Sequence, residues 1–227
     1  MAITTAMATS FKAEMFSAGH CFNATVTPTG SATSGAFLIT SVSSMSGIVV
    51  GMAISGTNIP ANTFISAINS STSFTISQAT TGIITGGTLT ISGDVFKMAL
   101  IKSGMGGTYS AANVNYTDIT GNTDEVTGTG YTATGTTLTN VSPATGGTTS
   151  FITFSPNPSW TSATFSTAGC MIYNTSSRIG GTSGTNAVGG GRCCSVHDFS
   201  GTQTVTSGTF TVLLPAADST HAILRIQ

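Results

Sequence analysis

Short apolar runs and apolar/polar alternations, each cut off by Gly, Ser, Asn or Pro, follow one another along nearly the whole chain. Such a rhythm predicts strands, because side chains on a strand point alternately to two faces. Strands are expected at Ala36 to Val42, in the apolar run Ile48 to Ile54, and at Thr63 to Ile68, Ser73 to Ser77 and Thr88 to Ser92. Turn signals separate them at Ser55-Gly56-Thr57-Asn58, Pro60-Ala61-Asn62, Asn69-Ser70 and Gly86-Gly87. So many strands in so short a tract predict a separate small barrel or sandwich, residues 23–92.

Beyond Gly93 the strands lengthen, and 93–227 reads as the main β-sandwich domain. Val95 to Lys102 is expected as a buried strand, and Tyr131 to Ala133 with Thr136 to Val141 as a hairpin around Thr134-Gly135. Further strands are predicted at Ser150 to Phe154, Ala163 to Phe165, Cys170 to Tyr173, Cys193 to Phe199, Thr209 to Leu214 and Ala222 to Ile226. In Phe210, Val212 and Leu214 the period of two puts one face inward, with Thr209 and Thr211 facing out. Residues 1–22 read as an arm of this domain carrying the one expected helix, Phe11 to Ala18. Ser10 is its predicted cap, Gly19 its stop, and Phe11, Met15 and Phe16 its shared apolar face. The expected fold class is all-β, two β-domains of sandwich or barrel type with a short N-terminal helix or arm.

Composition sharpens this picture. Charged residues make up 6% of the chain, and none lies among the 79 residues from Met15 to Gly93. Polarity comes from hydroxyls, since Ser and Thr fill 74 of the 227 positions, and β-branched Thr suits a half-wet pleated surface. A surface so poor in like charges contacts other protein readily. That argues for a building block and against most enzymes. Lys12, Lys97, Lys102, Arg178, Arg192 and Arg225 are scattered, and phosphate backbones need grouped cations, so nucleic acid is not an expected partner. No basic n-region with a long apolar run opens the chain and no window reaches membrane-span length, which predicts synthesis in a cytoplasm and no membrane partner.

The candidate chemistry is sparse. Cys21, Cys170, Cys193 and Cys194 do not make a disulfide framework, and buried reduced thiols are expected. Cys193-Cys194-Ser195-Val196-His197-Asp198 is the densest set of potential ligands, but strand alternation splits it between two faces, and zinc would need Cys170 or His20 from afar. Asp118, Asp124 and Glu125 could gather round a hard cation or act as a glycosidase acid pair, while Asx turns are the commoner use of such residues. The Gly-rich stretches Gly104-Met105-Gly106-Gly107 and Gly189-Gly190-Gly191-Arg192 lack a phosphate-loop pattern, and no Gly-x-Ser-x-Gly elbow occurs. Trp160 reads as a core anchor before a sugar platform. No catalytic residue, metal or cofactor is expected.

Several segments carry a resemblance. Met1-Ala2-Ile3-Thr4-Thr5 leading to Phe11-Lys12-Ala13-Glu14, Phe96-Lys97-Met98-Ala99-Leu100-Ile101, Asp124-Glu125-Val126-Thr127-Gly128-Thr129-Gly130-Tyr131, Ser159-Trp160-Thr161-Ser162-Ala163-Thr164-Phe165, Ile172-Tyr173-Asn174-Thr175 and Val196-His197-Asp198-Phe199 to Arg225-Ile226 occur in this order and spacing. Together they resemble a class of tailed-bacteriophage virion proteins, over 1–22 and 93–227. The tract Gly51-Met52-Ala53-Ile54-Ser55-Gly56-Thr57-Asn58-Ile59-Pro60 is similar to a small β-module of phage tail and capsid-surface proteins. The resemblance implies a structural virion protein: a capsid decoration (cement) protein on the head surface, a homotrimer with the major capsid protein as partner, or else a tail or fibre component that binds a host glycan or receptor. It transfers no catalytic residues. The long loop Arg178 to Arg192, with six glycines, departs from it. Phe11, Met15 and Phe16 of the arm and Arg178 and Arg192 of this loop are the expected partner contacts.

Overall fold

The computed structural model describes residues 1–176 and 191–226. Strand β1 (Ala6–Met7) and helix α1 (Thr9–Phe16) open the chain, followed by β2 (Thr29–Ala32), β3 (Leu38–Ile39), β4 (Ala53–Gly56), β5 (Thr63–Ser70), β6 (Ser73–Ile76) and β7 (Ile84–Ser92). Then come β8 (Phe96–Lys102), the short helix α2 (Thr117–Thr120), β9 (Thr136–Leu138), β10 (Asn140–Gly146), β11 (Thr149–Phe154), β12 (Ser159–Asn174), β13 (Arg192–Thr211) and β14 (Leu224–Ile226). The protein is all-β. Its internal contacts divide it into a small unit, residues 21–94 with 140–143, and a large unit made of residues 1–20, 95–139 and 144–227. Residues 140–143, placed in the main domain on sequence grounds, thus cluster with the small unit, where Ser142 Oγ accepts from the Ala24 amide at 3.0 Å.

In the small unit six antiparallel strands run in the order β2-β7-β4-β5-β6-β3. The outer two meet through a bridge in which Ser31 and Thr40 exchange both backbone hydrogen bonds at 2.8 Å. The sheet therefore closes on itself as a small barrel, which satisfies the backbone groups an open edge would leave unpaired. Strand alternation fills the interior with Ile39, Ile54, Ile65, Phe74, Ile76, Leu89 and Ile91, joined by Met52. Two sequence expectations fail here. The run Ile48 to Ile54 is not one strand: the chain turns at Val49 to Gly51, where Gly51 takes φ 89°, and only then can Met52 and Ile54 reach the core. Gly86-Gly87 is no turn either but an irregularity inside β7, with Gly86 at φ 57°.

The large unit holds a five-stranded sheet in the order β1-β13-β12-β8-β9 and a three-stranded sheet in the order β10-β11-β14. Apolar β8 lies between β12 and β9, and Phe96, Met98, Ala99, Leu100 and Ile101 are all fully buried. Four predicted strands merge into two long ones, β12 of 16 residues and β13 of 20. Register shifts such as the one between Thr167 and Gly169 let the ribbon continue past the core, and most side chains of β13 beyond Asp198 meet solvent. Tyr131 to Ala133 is not a strand. Thr134 and Gly135 take φ 77° and 73°, and β9 pairs with β8 instead.

Helix α1 starts earlier than expected, with Ala8 at its N-cap and no capping side chain, so Ser10 lies inside it. At its other end the Gly19 amide donates to the Glu14 carbonyl at 2.8 Å, while Ala18 carries the positive φ of 52°.

Candidate functional site

The N-terminal helix docks on the large sheet through one aromatic and one charged residue. Phe11 is 1% exposed and packs on the His20 ring at 4.8 Å between centroids. Glu14 Oε1 accepts from Arg192 Nη1 at 2.5 Å, and its Oε2 pairs with His20 Nε2 at 2.7 Å. Asn174 Nδ2 lies 2.9 Å from His20 Nδ1, and Asn174 Oδ1 accepts from the Ser176 amide at 2.8 Å. An amide nitrogen can only donate, so Nδ1 accepts and the imidazole proton sits on Nε2, directed at Glu14. Asn174 ends β12 and Arg192 opens β13.

Of the five residues expected to contact a partner, then, Phe11 and Arg192 are committed to the chain's own interior, Arg192 being 8% exposed. Met15 is half-buried, and Phe16 stands out at 94% exposure. Phe11 and Phe16 do not share a face, because five helical residues turn through about 140° beyond a full circle. Arg178 lies outside the described residues.

The carboxylates that could have gathered round a cation form no such cluster among the described residues. Asp124 accepts from the amides of Gly106 at 2.8 Å and Gly107 at 2.7 Å and from the Tyr109 hydroxyl at 2.7 Å, with Lys102 Nζ at 3.3 Å. Desolvation works to raise its pKa, yet these donors together hold it below the usual carboxylate value. Its neighbour Glu125 accepts from Tyr116 at 2.5 Å, Tyr131 at 2.8 Å and the Thr134 amide at 2.7 Å. Burial, then the Glu125 carboxylate, push the Tyr116 and Tyr131 hydroxyls well above their ordinary pKa. Asp118 reaches back from helix α2 to accept from the amides of Val114 at 2.8 Å and Asn115 at 3.2 Å, which is not the Asx turn expected of it. Each acid organises a loop, and among the described residues no three His, Cys, Asp or Glu side chains gather as a metal site.

Ser195 and His197 come closest to catalytic geometry, with Oγ and Nε2 2.8 Å apart on one face of β13. Burial drops His197 to about 4, which makes it a poor base, and Ser195 is fully buried. Asp198 falls on the opposite face by alternation and accepts from the Ser200 amide at 3.0 Å. The four cysteines are buried and form no disulfide, and burial raises Cys170 and Cys193 to about 12. Trp160 is buried among Tyr131, Phe165 and Phe210 as a core anchor.

What remains outward is mainly hydroxyl and apolar surface, with a few charges such as Lys12, Asp198 and Arg225. Ser159 faces Thr211 at 3.1 Å and Ser166 faces Thr204 at 2.9 Å across the β12/β13 ribbon. Phe16, Met1, Leu213 and Ile83 are, in that order, the most exposed large apolar side chains among the described residues, Leu213 at 77% and Ile83 at 68%. No described helix is long and apolar enough to cross a membrane. Comparison with known proteins finds no matching family model, no matching curated protein and no matching solved structure.

Proposed function

We propose that this chain is a structural virion protein of a tailed bacteriophage, a capsid decoration protein that binds the major capsid protein stoichiometrically as a homotrimer and turns over no substrate. The observation that carries the reading is the outer surface of the β12/β13 ribbon and of the barrel, each poor in charge and covered in Ser and Thr hydroxyls, with exposed apolar side chains such as Ile83 and Phe64 on the barrel and Phe16 on helix α1. Such a surface loses little on leaving water for another protein, since it strips no charges of their solvent. Contacts that are weak singly add up when a closed symmetric oligomer presents several at once. The acids, histidines and thiols are consumed internally, which supports a role in holding rather than in chemistry.

Copy number per particle tests the reading. Purified virions are compared by gel densitometry with the major capsid protein, and sedimentation of the isolated chain reports its mass. Many copies over the head and a mass three times that of the chain are expected. A few copies confined to the tail support the receptor-binding alternative, and a monomer that ignores phage particles removes both.

A further inference from the structure

Two sheet edges of the large unit face a common groove. Strand β1 is the outermost named strand of the five-stranded sheet, paired with β13, while the chain on either side of it bonds the segment 109–111 through the Thr4 amide to the Tyr109 carbonyl and the Thr9 amide to the Ala111 carbonyl, both at 2.8 Å. Strand β14 is outermost in the three-stranded sheet, paired with β11 alone, among the described residues. A cavity of about 360 Å³ is lined by Thr5 to Met7 on one side and Ala222 to Arg225 on the other, with Ser195 and His197 of β13 completing it. In the β1/β13 ladder Ala6 lies opposite Val196 and Met7 opposite Ser195, and the Ala8 amide donates to the Cys194 carbonyl at 2.9 Å. Antiparallel pairing uses alternate residues, so Ala6 and Ala8 turn their amides to β13 while Thr5 and Met7 turn theirs away from it.

The electrostatics of the lining are simple. Burial keeps His197 neutral near neutral pH. Arg225 is exposed, its Nη1 donates to the Thr220 carbonyl, and no carboxylate of the described residues pairs with it. The groove thus combines backbone donors and acceptors at strand spacing with one cation that pairs with no carboxylate among the described residues, in a chain with very few charges of any kind.

We propose that this groove is a strand-addition site: it takes an extended segment of another protein that carries an acidic side chain, pairs that segment with the edge of β1, and seats its carboxylate on Arg225. Main-chain hydrogen bonds supply the affinity in this mode, and side chains at alternate positions supply the choice of partner. The proposal does not rest on the virion reading, since any protein with an accessible extended acidic segment fits it.

The test uses the full chain, isotope-labelled, titrated with a capped heptapeptide of alternating threonine and valine with one central aspartate. Amide shifts centred on Thr5, Ala6, Met7, Ile223 and Arg225 are expected, with slowed hydrogen exchange at Thr5 and Met7. Lysine in place of the aspartate weakens binding about threefold, the size of an exposed ion pair, and Arg225→Gln erases that difference. N-methylation of alternate peptide nitrogens abolishes the response. Absence of shifts at millimolar peptide, shifts centred elsewhere, or indifference to N-methylation overturns the proposal. So does the same response to inorganic phosphate alone, which makes the groove a small-anion site, or concentration-dependent protection of these amides without peptide, which makes a second copy the occupant. Arg225 is exposed, and an unchanged circular dichroism spectrum of the variant confirms that it folds.

Discussion

Arg192 and Glu14, 178 residues apart in sequence, form a 2.5 Å ion pair in which both side chains are largely shielded from water. This pair joins the N-terminal helix to the first residue of the longest strand, and the same carboxylate also receives His20. Removing one partner leaves a shielded charge uncompensated. Arg192→Met is expected to cost about 3 to 5 kcal/mol in urea unfolding. The double variant Glu14→Gln with Arg192→Met keeps an acceptor for His20 and recovers most of that loss. A double variant no more stable than the single one contradicts this account.

His197 sets an acid limit on stability. Its folded value is about 4 against 6.5 for an ordinary histidine, so between these values the unfolded chain binds the extra proton. Stability is then whole above about pH 6.5 and falls as pH drops toward 4. His197→Gln can still hydrogen-bond Ser195 and has no such titration. Melting temperatures at pH 7 and pH 4.5 are expected to differ less in the variant than in the parent, and an equal drop in both excludes His197 as the cause.

Gly135 and Gly35 separate backbone strain from steric collision. Both take positive φ, 73° and 75°, but a Cβ at Gly135 runs into the Met98 carbonyl where β9 joins β8, whereas nothing lies within 4 Å at Gly35. Gly35→Ala carries only the left-handed penalty, about 1 kcal/mol. Gly135→Ala must also displace a central strand and is expected to exceed about 4 kcal/mol. Thermal unfolding of the two variants gives the comparison.

The buried thiols are expected to be chemically silent. Thiolate is the reactive form, and with Cys170 and Cys193 raised to about 12 almost none exists at pH 8. Iodoacetamide at that pH should leave both unmodified in the native protein and label both in guanidinium, as read by peptide mass spectrometry. Labelling of either in the folded state contradicts their placement.

Much of the architecture was legible where apolar residues alternate. Phe74 and Ile76 in β6 and Leu89 and Ile91 in β7 mark their strands because one face of each fills the barrel. Strand β2, Thr-Gly-Ser-Ala, has no such signature, since its place is set by pairing with β7 and by the bridge that closes the barrel. The outer part of β13 was illegible for a related reason: water meets most of its side chains, so polarity carries no period. Of the expected contact residues, the exposure of Phe16 follows from helix geometry once the inward position of Phe11 is known. The inward turn of Arg192 does not, because its partner lies at the opposite end of the chain and no local pattern announces it.

The uncharged barrel has a practical corollary. Residues 21–93 include no lysine, arginine, acid, histidine or tyrosine, so Cys21 is the single side chain there that can change protonation, and Asp94 adds one carboxylate at the unit's margin. Ionic screening has almost nothing to act on, and neither brine nor fresh water should alter the shape or grip of that surface. The unit presents the same surface over a wide range of salt concentrations.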